Sequence, residues 1–194
     1  MGSVDKNVVT GVAAGVATLA GLYAINVLAT RNQRGKLVGD PGCRIDSLQK
    51  LRDVIPVSEK AGRTLTATKV LTYLDEQMFG FVERSPFVQL GTSSSKGMPF
   101  VSPKGDGPGF IKILDNQTLV IPDRPGNNIL FGHENILENP QAALIFEIPG
   151  NNLTLRVGGY AELTTDPELC KMTNERGRDA IMCIVLHVEY AFFH

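Results

Sequence analysis

The chain has 194 residues, 43% of them hydrophobic, and 19 basic against 20 acidic side chains give it a formal charge of -1. This composition suits one globular domain with an appended segment. The near-neutral balance excludes the extended basic surface of nucleic-acid-binding proteins, so any anion site must be local. Three widely spaced cysteines outside any CxxC arrangement predict reduced thiols and no metal site, and the histidines are expected to be surface or structural residues.

An uncharged apolar segment runs from Val8 to Ala29. A helix rises about 1.5 Å per residue and would cross a hydrocarbon core of about 30 Å over this length, which predicts a membrane anchor within residues 1–30. A cleaved secretory signal is the main alternative, although its apolar region is usually about 7–15 residues long. Basic residues after the segment predict a folded domain on the cytoplasmic side of a membrane, with an unanchored cytoplasmic or organellar protein as the alternative.

Residues 31–45 are polar and rich in glycine, which predicts a linker before a folded domain over residues 46–194. At the start of that domain, Asp46 is expected to cap a short helix that Pro56 ends. The apolar residues on one side of this short helix are Leu48, Leu51 and Val54.

A longer helix is predicted to begin at Thr66 or Thr68 and to end before Ser85-Pro86. Apolar residues recur in it at three- and four-residue spacing, which is typical of a helix with one buried face. Its apolar residues are Val70, Leu71, Leu74, Met78 and Val82.

Beyond Pro86 the pattern changes to short apolar runs separated by turn residues, which predicts strands. The predicted strands are 87–92, 99–102, 110–114, 118–121, 142–148, 153–164 and 181–188, with helices at about 128–137 and 167–174. The first four strands are predicted to form an antiparallel meander, and the fifth and sixth a hairpin. The expected fold is mainly β with flanking helices, a small closed or split barrel that leaves few exposed edges.

Two corners rich in glycine and proline carry the clearest functional signal. One is Ser102-Pro-Lys-Gly-Asp106 and the other is Ile121-Pro-Asp-Arg-Pro-Gly-Asn127. Each follows an apolar strand, so backbone N–H groups and the head of Lys104 or Arg124 could converge on one phosphate. The alternative interpretations are a solvated turn lysine and a surface ion pair between Asp123 and Arg124.

The order of several motifs resembles the FMN-binding split-barrel flavoproteins related to pyridoxamine-phosphate oxidase. These motifs are Arg84-Ser-Pro-Phe87, the two corners, Asn135-Ile-Leu-Glu-Asn-Pro140 and Leu155-Arg-Val-Gly-Gly-Tyr-Ala161. The resemblance runs from about Asp46 to His194 and is nearest to a bacterial-type branch of FMN-dependent enzymes. It implies an FMN-binding split β-barrel that forms a homodimer, with two flavins at the subunit interface. The family pattern continues past His194, so the C-terminal end of the domain is expected to be incomplete.

The resemblance also implies which residues bind FMN. Lys104 and Arg124 would hold the phosphate, while Val101 and Ser102 would line the flavin ring through their main chain. Four further candidates are Asn127, Asn128, Thr154 and Arg156. The two asparagines would either cap a helix or donate to the phosphate. The last two would touch the ring from the other subunit.

The function implied is that of an FMN-dependent oxidoreductase acting on an unidentified small molecule with an unidentified electron donor. No catalytic triad, close carboxylate pair or phosphate-binding P-loop is evident, but a flavin itself carries hydride and needs none of these. The chain has no tryptophan, unlike the C-terminal substrate segment of pyridoxamine-phosphate oxidase, so that enzyme's own reaction is not expected. The alternatives are a module that binds FMN, haem or a deazaflavin without turnover, and a membrane-tethered interaction domain that has lost its ligand.

Overall fold

The computed structural model describes residues 40–56 and 69–194, which belong to two compact units divided after Val57. In the first unit, a 3-10 turn at Pro41–Cys43 precedes helix α1 (Leu48–Val54). Ser47 caps α1, since its Oγ accepts a hydrogen bond of 3.2 Å from the backbone N–H of Lys50. The predicted cap, Asp46, instead forms an exposed ion pair of 3.0 Å with Lys50.

The predicted fold class was wrong in including a transmembrane helix. Within the residues that the structure describes, no helix is both long enough and apolar enough to cross a membrane. The segment predicted to do so, residues 8–29, lies outside the described residues, as do most of the predicted linker and the predicted helix start at Thr66 or Thr68. The predicted location of the folded domain on the cytoplasmic side of a membrane depended on that anchor and has no support without it.

The second unit opens with helix α2 (Glu76–Arg84), which is shorter than predicted. Asp75 caps it, because its Oδ1 accepts a hydrogen bond of 2.9 Å from the backbone N–H of Met78. The prediction of helix from Val70 to Leu74 was wrong, since Leu71 forms backbone hydrogen bonds of 2.9 and 2.8 Å with Ala191. Its N–H and C=O groups therefore extend the sheet instead of a helix.

Seven strands of the described region form one antiparallel sheet in the order β2-β1-β5-β6-β7-β4-β3. The strands are β1 (Phe87–Ser93), β2 (Pro99–Gly105), β3 (Lys112–Asp115), β4 (Thr118–Asp123), β5 (Gln141–Glu147), β6 (Thr154–Thr164) and β7 (Met182–Phe193). Helix α3 (Phe131–Glu138) follows β4, and helix α4 (Pro167–Met172) follows β6. The prediction of a mainly β domain with flanking helices is confirmed.

The predicted meander of the first four strands was wrong at one connection. Strands β1 and β2 form a hairpin, and so do β3 and β4, but β2 and β3 lie at opposite edges of the sheet. The side chains of Lys104 on β2 and Asp123 on β4 nevertheless meet at 2.5 Å. The sheet must therefore curl until its two ends approach each other. In the described region the strands at these two ends are not paired by backbone hydrogen bonds, and the contact between Lys104 and Asp123 joins them instead. This arrangement fits a split barrel.

The core fills the inside of this curled sheet and is covered by α2. Its largest fully buried side chains include Leu119, Ile121, Leu144, Phe146, Leu155 and Ile184. A smaller cluster packs between β7 and α4 and contains Cys170 and Cys183, which are free thiols. Burial raises the pKa of the Cys183 thiol to about 11, so this side chain stays protonated near neutral pH.

Candidate functional site

A cavity of about 510 Å³ opens where the ends of β2 and β4 approach the start of α3. Ligand-binding pockets in proteins are usually about 300–1,000 Å³. Its walls include the apolar side chains of Leu90, Phe100 and Phe110. Its charged or titratable lining residues are Lys104, Asp106, Asp123, Arg124 and His133.

Asp123, the last residue of β4, joins two of the other charged or titratable side chains of the cavity. Lys104 Nζ lies 2.5 Å from Asp123 Oδ1, and His133 Nε2 lies 3.2 Å from the same oxygen. Burial alone would raise the pKa of Asp123, but its contacts with His133 and Lys104 outweigh burial and lower that pKa to about 2. Asp123 is therefore ionised at neutral pH and compensates the charge of Lys104.

His133 brings a largely buried imidazole to the cavity from the first turn of α3. Only 13% of its side chain is exposed. Within the described residues neither Nδ1 nor Nε2 has an aligned hydrogen-bond partner, although Nε2 is within ion-pair distance of Asp123. A buried polar group without a partner is costly, so these nitrogens can bind a ligand that fills the cavity.

Arg124 is held by the protein itself. Its Nε donates to Asp106 Oδ2 at 2.6 Å, while its terminal nitrogens donate to the carbonyls of Thr173 at 2.8 Å and Arg178 at 3.2 Å. Burial acts to raise the pKa of Asp106, but the bonds from Arg124 and the Gly107 N–H outweigh it and leave that pKa lowered. Arg124 thus fastens the corner after β2 to the end of β4 while it lines the cavity.

Of the four other predicted residues in and near the two corners, three line the cavity and one does not. Ser102, Asn127 and Asn128 line the cavity with Lys104 and Arg124. Val101 is not among the lining residues, and it is 59% exposed. Neither asparagine caps α3, whose N-cap is Leu130. Asn127 Oδ1 instead accepts from the Ile129 N–H at 3.1 Å.

The last two predicted residues lie on β6 and are not among those lining the cavity of their own chain. Thr154 Oγ1 donates to the His194 carbonyl at 3.3 Å. The guanidinium carbon of Arg156 lies 5.7 Å from the centre of the Phe192 ring, and its buried Nε has no hydrogen-bond partner in the described region. One chain therefore does not unite these residues with Lys104.

Sequence reasoning missed the roles of His133 and Asp123. Asp123 was assigned at most to a surface pair with Arg124, and His133 to a surface or structural position. A signal for both was present, because Asp123 ends an apolar strand and His133 lies early in the helix that follows. Such strand-to-helix connections often place polar side chains around a ligand.

Comparisons with known proteins agree with this fold. A family model for pyridoxamine 5'-phosphate oxidase matches residues 74–193. The solved structure of HupZ from Group A Streptococcus is 20% identical, covers 62% of this chain and 93% of its own, and has a TM-score of 0.51. A Lactobacillus delbrueckii structure assigned to the pyridoxamine 5'-phosphate oxidases is 24% identical, covers 64% and 98%, and has a TM-score of 0.50. No curated protein matched the chain.

At these identities the solved structures support the fold alone. The family model carries more weight, since it covers the whole sheet, both corners and every charged residue of the cavity. The resemblance drawn from the ordered motifs is thereby confirmed. Because the match extends over more than half of its 194 residues, the chain belongs to the pyridoxamine 5'-phosphate oxidase family.

Proposed function

We propose that this protein binds FMN in the cavity, with the phosphate at Lys104, and uses it in an oxidoreductase reaction on a small molecule. The observation that carries the proposal is the joint position in one cavity of Lys104, Arg124 and His133, whose ring nitrogens have no aligned hydrogen-bond partner in the described region. Family membership supports a flavin as the ligand. Cations and N–H donors on neighbouring corners are the chemistry that a phosphate requires.

The residues present fit the phosphate end of such a ligand. Lys104 has an ammonium group with three N–H donors, and only one short contact, to Asp123, is described for it. Arg124 uses three of its five N–H donors on protein oxygens. The remaining donors of these two side chains, with the imidazole of His133, can bind phosphate oxygens.

The rest of the cavity suits an aromatic ring system. Leu90, Phe100 and Phe110 provide apolar walls, and Phe100 packs edge-on against Phe131 at 5.7 Å between ring centres. Such walls exclude water and hold a planar ring in one orientation. When bound there, FMN would supply hydride or electron transfer, which explains why no catalytic triad is needed. The chain's own residues would bind and orient the ligand.

We also propose that the protein is a homodimer in which the partner completes the site. Arg156 supports this, because its buried Nε lacks a partner within the described residues of one chain. Tyr160 on β6 is 44% exposed and Tyr190 on the neighbouring β7 is 39% exposed, and such aromatic residues are enriched at protein interfaces. Light scattering after size exclusion is expected to give twice the chain mass. A monomeric mass with bound FMN would contradict the shared site.

Removing the charge of Lys104 is expected to weaken FMN binding at least about tenfold, because hydrogen bonds to charged groups contribute about 1.5–3 kcal/mol. Lys104→Met retains most of the side-chain volume and removes the ammonium group. Lys96 is a matched control, since it lies in the exposed turn between β1 and β2, and Lys96→Met should leave affinity unchanged. Quenching of flavin fluorescence during titration measures both. Equal affinity in the two variants would refute the phosphate site.

Two measurements separate the proposed enzyme from the alternative functions. The absorbance spectrum of the purified protein distinguishes bound flavin from haem or a deazaflavin. Steady-state oxidation of reduced nicotinamide with an added electron acceptor then distinguishes turnover from binding alone. FMN bound in stoichiometric amount without turnover across a panel of donors and acceptors would contradict the oxidoreductase proposal.

A further inference from the structure

We infer that His133 takes up a proton when a phosphate monoester enters the cavity, so that the site selects a phosphorylated flavin by a protonated imidazole as well as by Lys104. This inference rests on the proposed function, because it concerns the same ligand. It adds a residue and a protonation step that the family match does not supply.

The charge balance of the cavity is the first step. Lys104 is paired with Asp123, and Arg124 is paired with Asp106, so these four side chains sum to zero. A phosphate monoester carries about -1.5 to -2 charges at pH 7. Placing that charge in a cavity whose cations are already compensated is unfavourable, since charges interact more strongly where water is excluded. One additional positive charge would offset part of this cost.

The position of His133 makes it the group that can supply this charge. Its Nε2 lies 3.2 Å from Asp123 Oδ1, and both ring nitrogens are buried without an aligned partner in the described region. A neutral imidazole has one donor, whereas a protonated imidazole has two. The protonated form can therefore donate to Asp123 through one nitrogen and to a phosphate oxygen through the other.

The other carboxylates of the cavity do not explain proton uptake near neutral pH. The pKa of Asp123 is lowered to about 2, and that of Asp106 is also lowered. Both therefore stay ionised above about pH 5.

The elements packed against α3 add no competing group. Strand β1 has no titratable side chain, and Lys104 is the only one on β2. On β6, Glu162 contacts His187, Tyr160 stacks on the same imidazole, and Arg156 lies over Phe192. Within α3 itself, Glu138 accepts hydrogen bonds from Ser95, and Glu134 is exposed.

Calorimetric titration of the whole protein with FMN tests this directly. Titrations at about pH 7.5 in two phosphate-free buffers of different ionisation enthalpy are expected to show uptake of about one proton per FMN bound. Riboflavin, which lacks the phosphate, should bind more weakly and without uptake. FMN affinity should fall by up to about tenfold per pH unit between about pH 7 and 8.5.

Variants assign the proton to one residue. His133→Asn and His133→Gln are each expected to abolish the uptake and flatten the pH profile while retaining measurable FMN binding. His187→Asn is the matched control, because His187 lies 3.0 Å from the carboxylate of Glu162 on the sheet surface, away from the residues lining the cavity. It should behave as the unmodified protein. If the His133 variants do not fold, absence of proton uptake by the unmodified protein still overturns the inference.

The possible failures are distinguishable. Saturable FMN binding without proton uptake, or uptake that persists in the His133 variants, would overturn this inference and leave the proposed function intact. Absence of saturable FMN binding in the unmodified protein would overturn the proposed function itself.

Discussion

Replacing Asp123 with asparagine is expected to lower the free energy of unfolding by about 2 kcal/mol at pH 7. The carboxylate lies against Lys104 and His133, and the side chains of these three residues are only 12%, 16% and 13% exposed. Asparagine has a similar shape but no charge, so the Lys104 ammonium would remain partly buried without its counter-ion. Breaking a buried pair in this way costs more than the pair contributes when intact.

The pH dependence of this difference follows from the lowered pKa of Asp123. Its pKa is about 2 in the folded protein, against an ordinary value of 3.8. Folding therefore favours the ionised form, and the stabilisation is complete above about pH 5 and is lost as the pH falls toward 2. Urea unfolding of both proteins at about pH 7, 5 and 3 measures the difference. It should be at least as large at about pH 5 as at about pH 7, and clearly smaller at about pH 3.

Glu162→Gln provides the matched control for this prediction. It removes a carboxylate that lies 3.0 Å from the imidazole of His187, but the Glu162 side chain is 63% exposed. Surface pairs of this kind contribute little, so the free energy of unfolding should change by less than about 0.5 kcal/mol. Equal effects of the two substitutions would show that Asp123 is not a buried counter-ion.

The pairing of these charges also shows how far the sequence determines the site. Both corners could be recognised locally, because strand ends, glycines and prolines are visible in the sequence. The partners of their charges could not. Asp123 and Arg124 are adjacent, yet Asp123 contacts Lys104 whereas Arg124 contacts Asp106. Neighbouring side chains of an extended segment point in opposite directions, so Asp123 and Arg124 do not pair with each other. Their partners, Lys104 and Asp106, come from the end of β2 and the corner after it, at the other end of the sheet.

The difference between local signals and contacts distant in sequence also explains the errors in the predicted fold. Every predicted strand is present, because alternation and turn residues are local signals. The meander was wrong because the position of the β3–β4 hairpin is set by its pairing with β7, a contact distant in sequence. Likewise, the apolar spacing before Asp75 suggested helix, but Leu71 pairs with Ala191, which lies far away in the sequence on the last strand.

The β6–β7 pair contains the position at which a single methyl group should be least tolerated. The register shifts between Gly158 and Gly159, where Gly158 faces Tyr190 and Gly159 faces Val188. Glu189 is thus the extra residue of a β-bulge, and the bulged backbone approaches Gly159 closely. A Cβ atom on Gly159 would overlap the carbonyl oxygen of His187 and crowd the backbone nitrogen of Glu189.

Gly159→Ala is therefore expected to destabilise the protein by about 3 kcal/mol or more, because a backbone carbonyl inside a paired strand cannot rotate away as a side chain can. Gly158→Ala should cost less, since its methyl group would meet the ring of Tyr190, a side chain that can rotate about its own bonds and is 39% exposed. Gly80→Ala in α2, where the new methyl group would meet no heavy atom within 4 Å beyond its chain neighbours and the backbone of its own helix, should instead stabilise by about 0.5–1 kcal/mol.

Thermal and urea unfolding of the three glycine variants measures this series. The outcome also bears on the proposed dimer, because β6 and β7 carry Arg156 and Tyr190, the residues on which the partner-facing side of the sheet was assigned. If Gly159→Ala caused no loss of stability, the bulge and the register between these strands would be contradicted. The side of the sheet assigned to the partner subunit would then lose its support, since the register decides which side chains of β6 and β7 share a face.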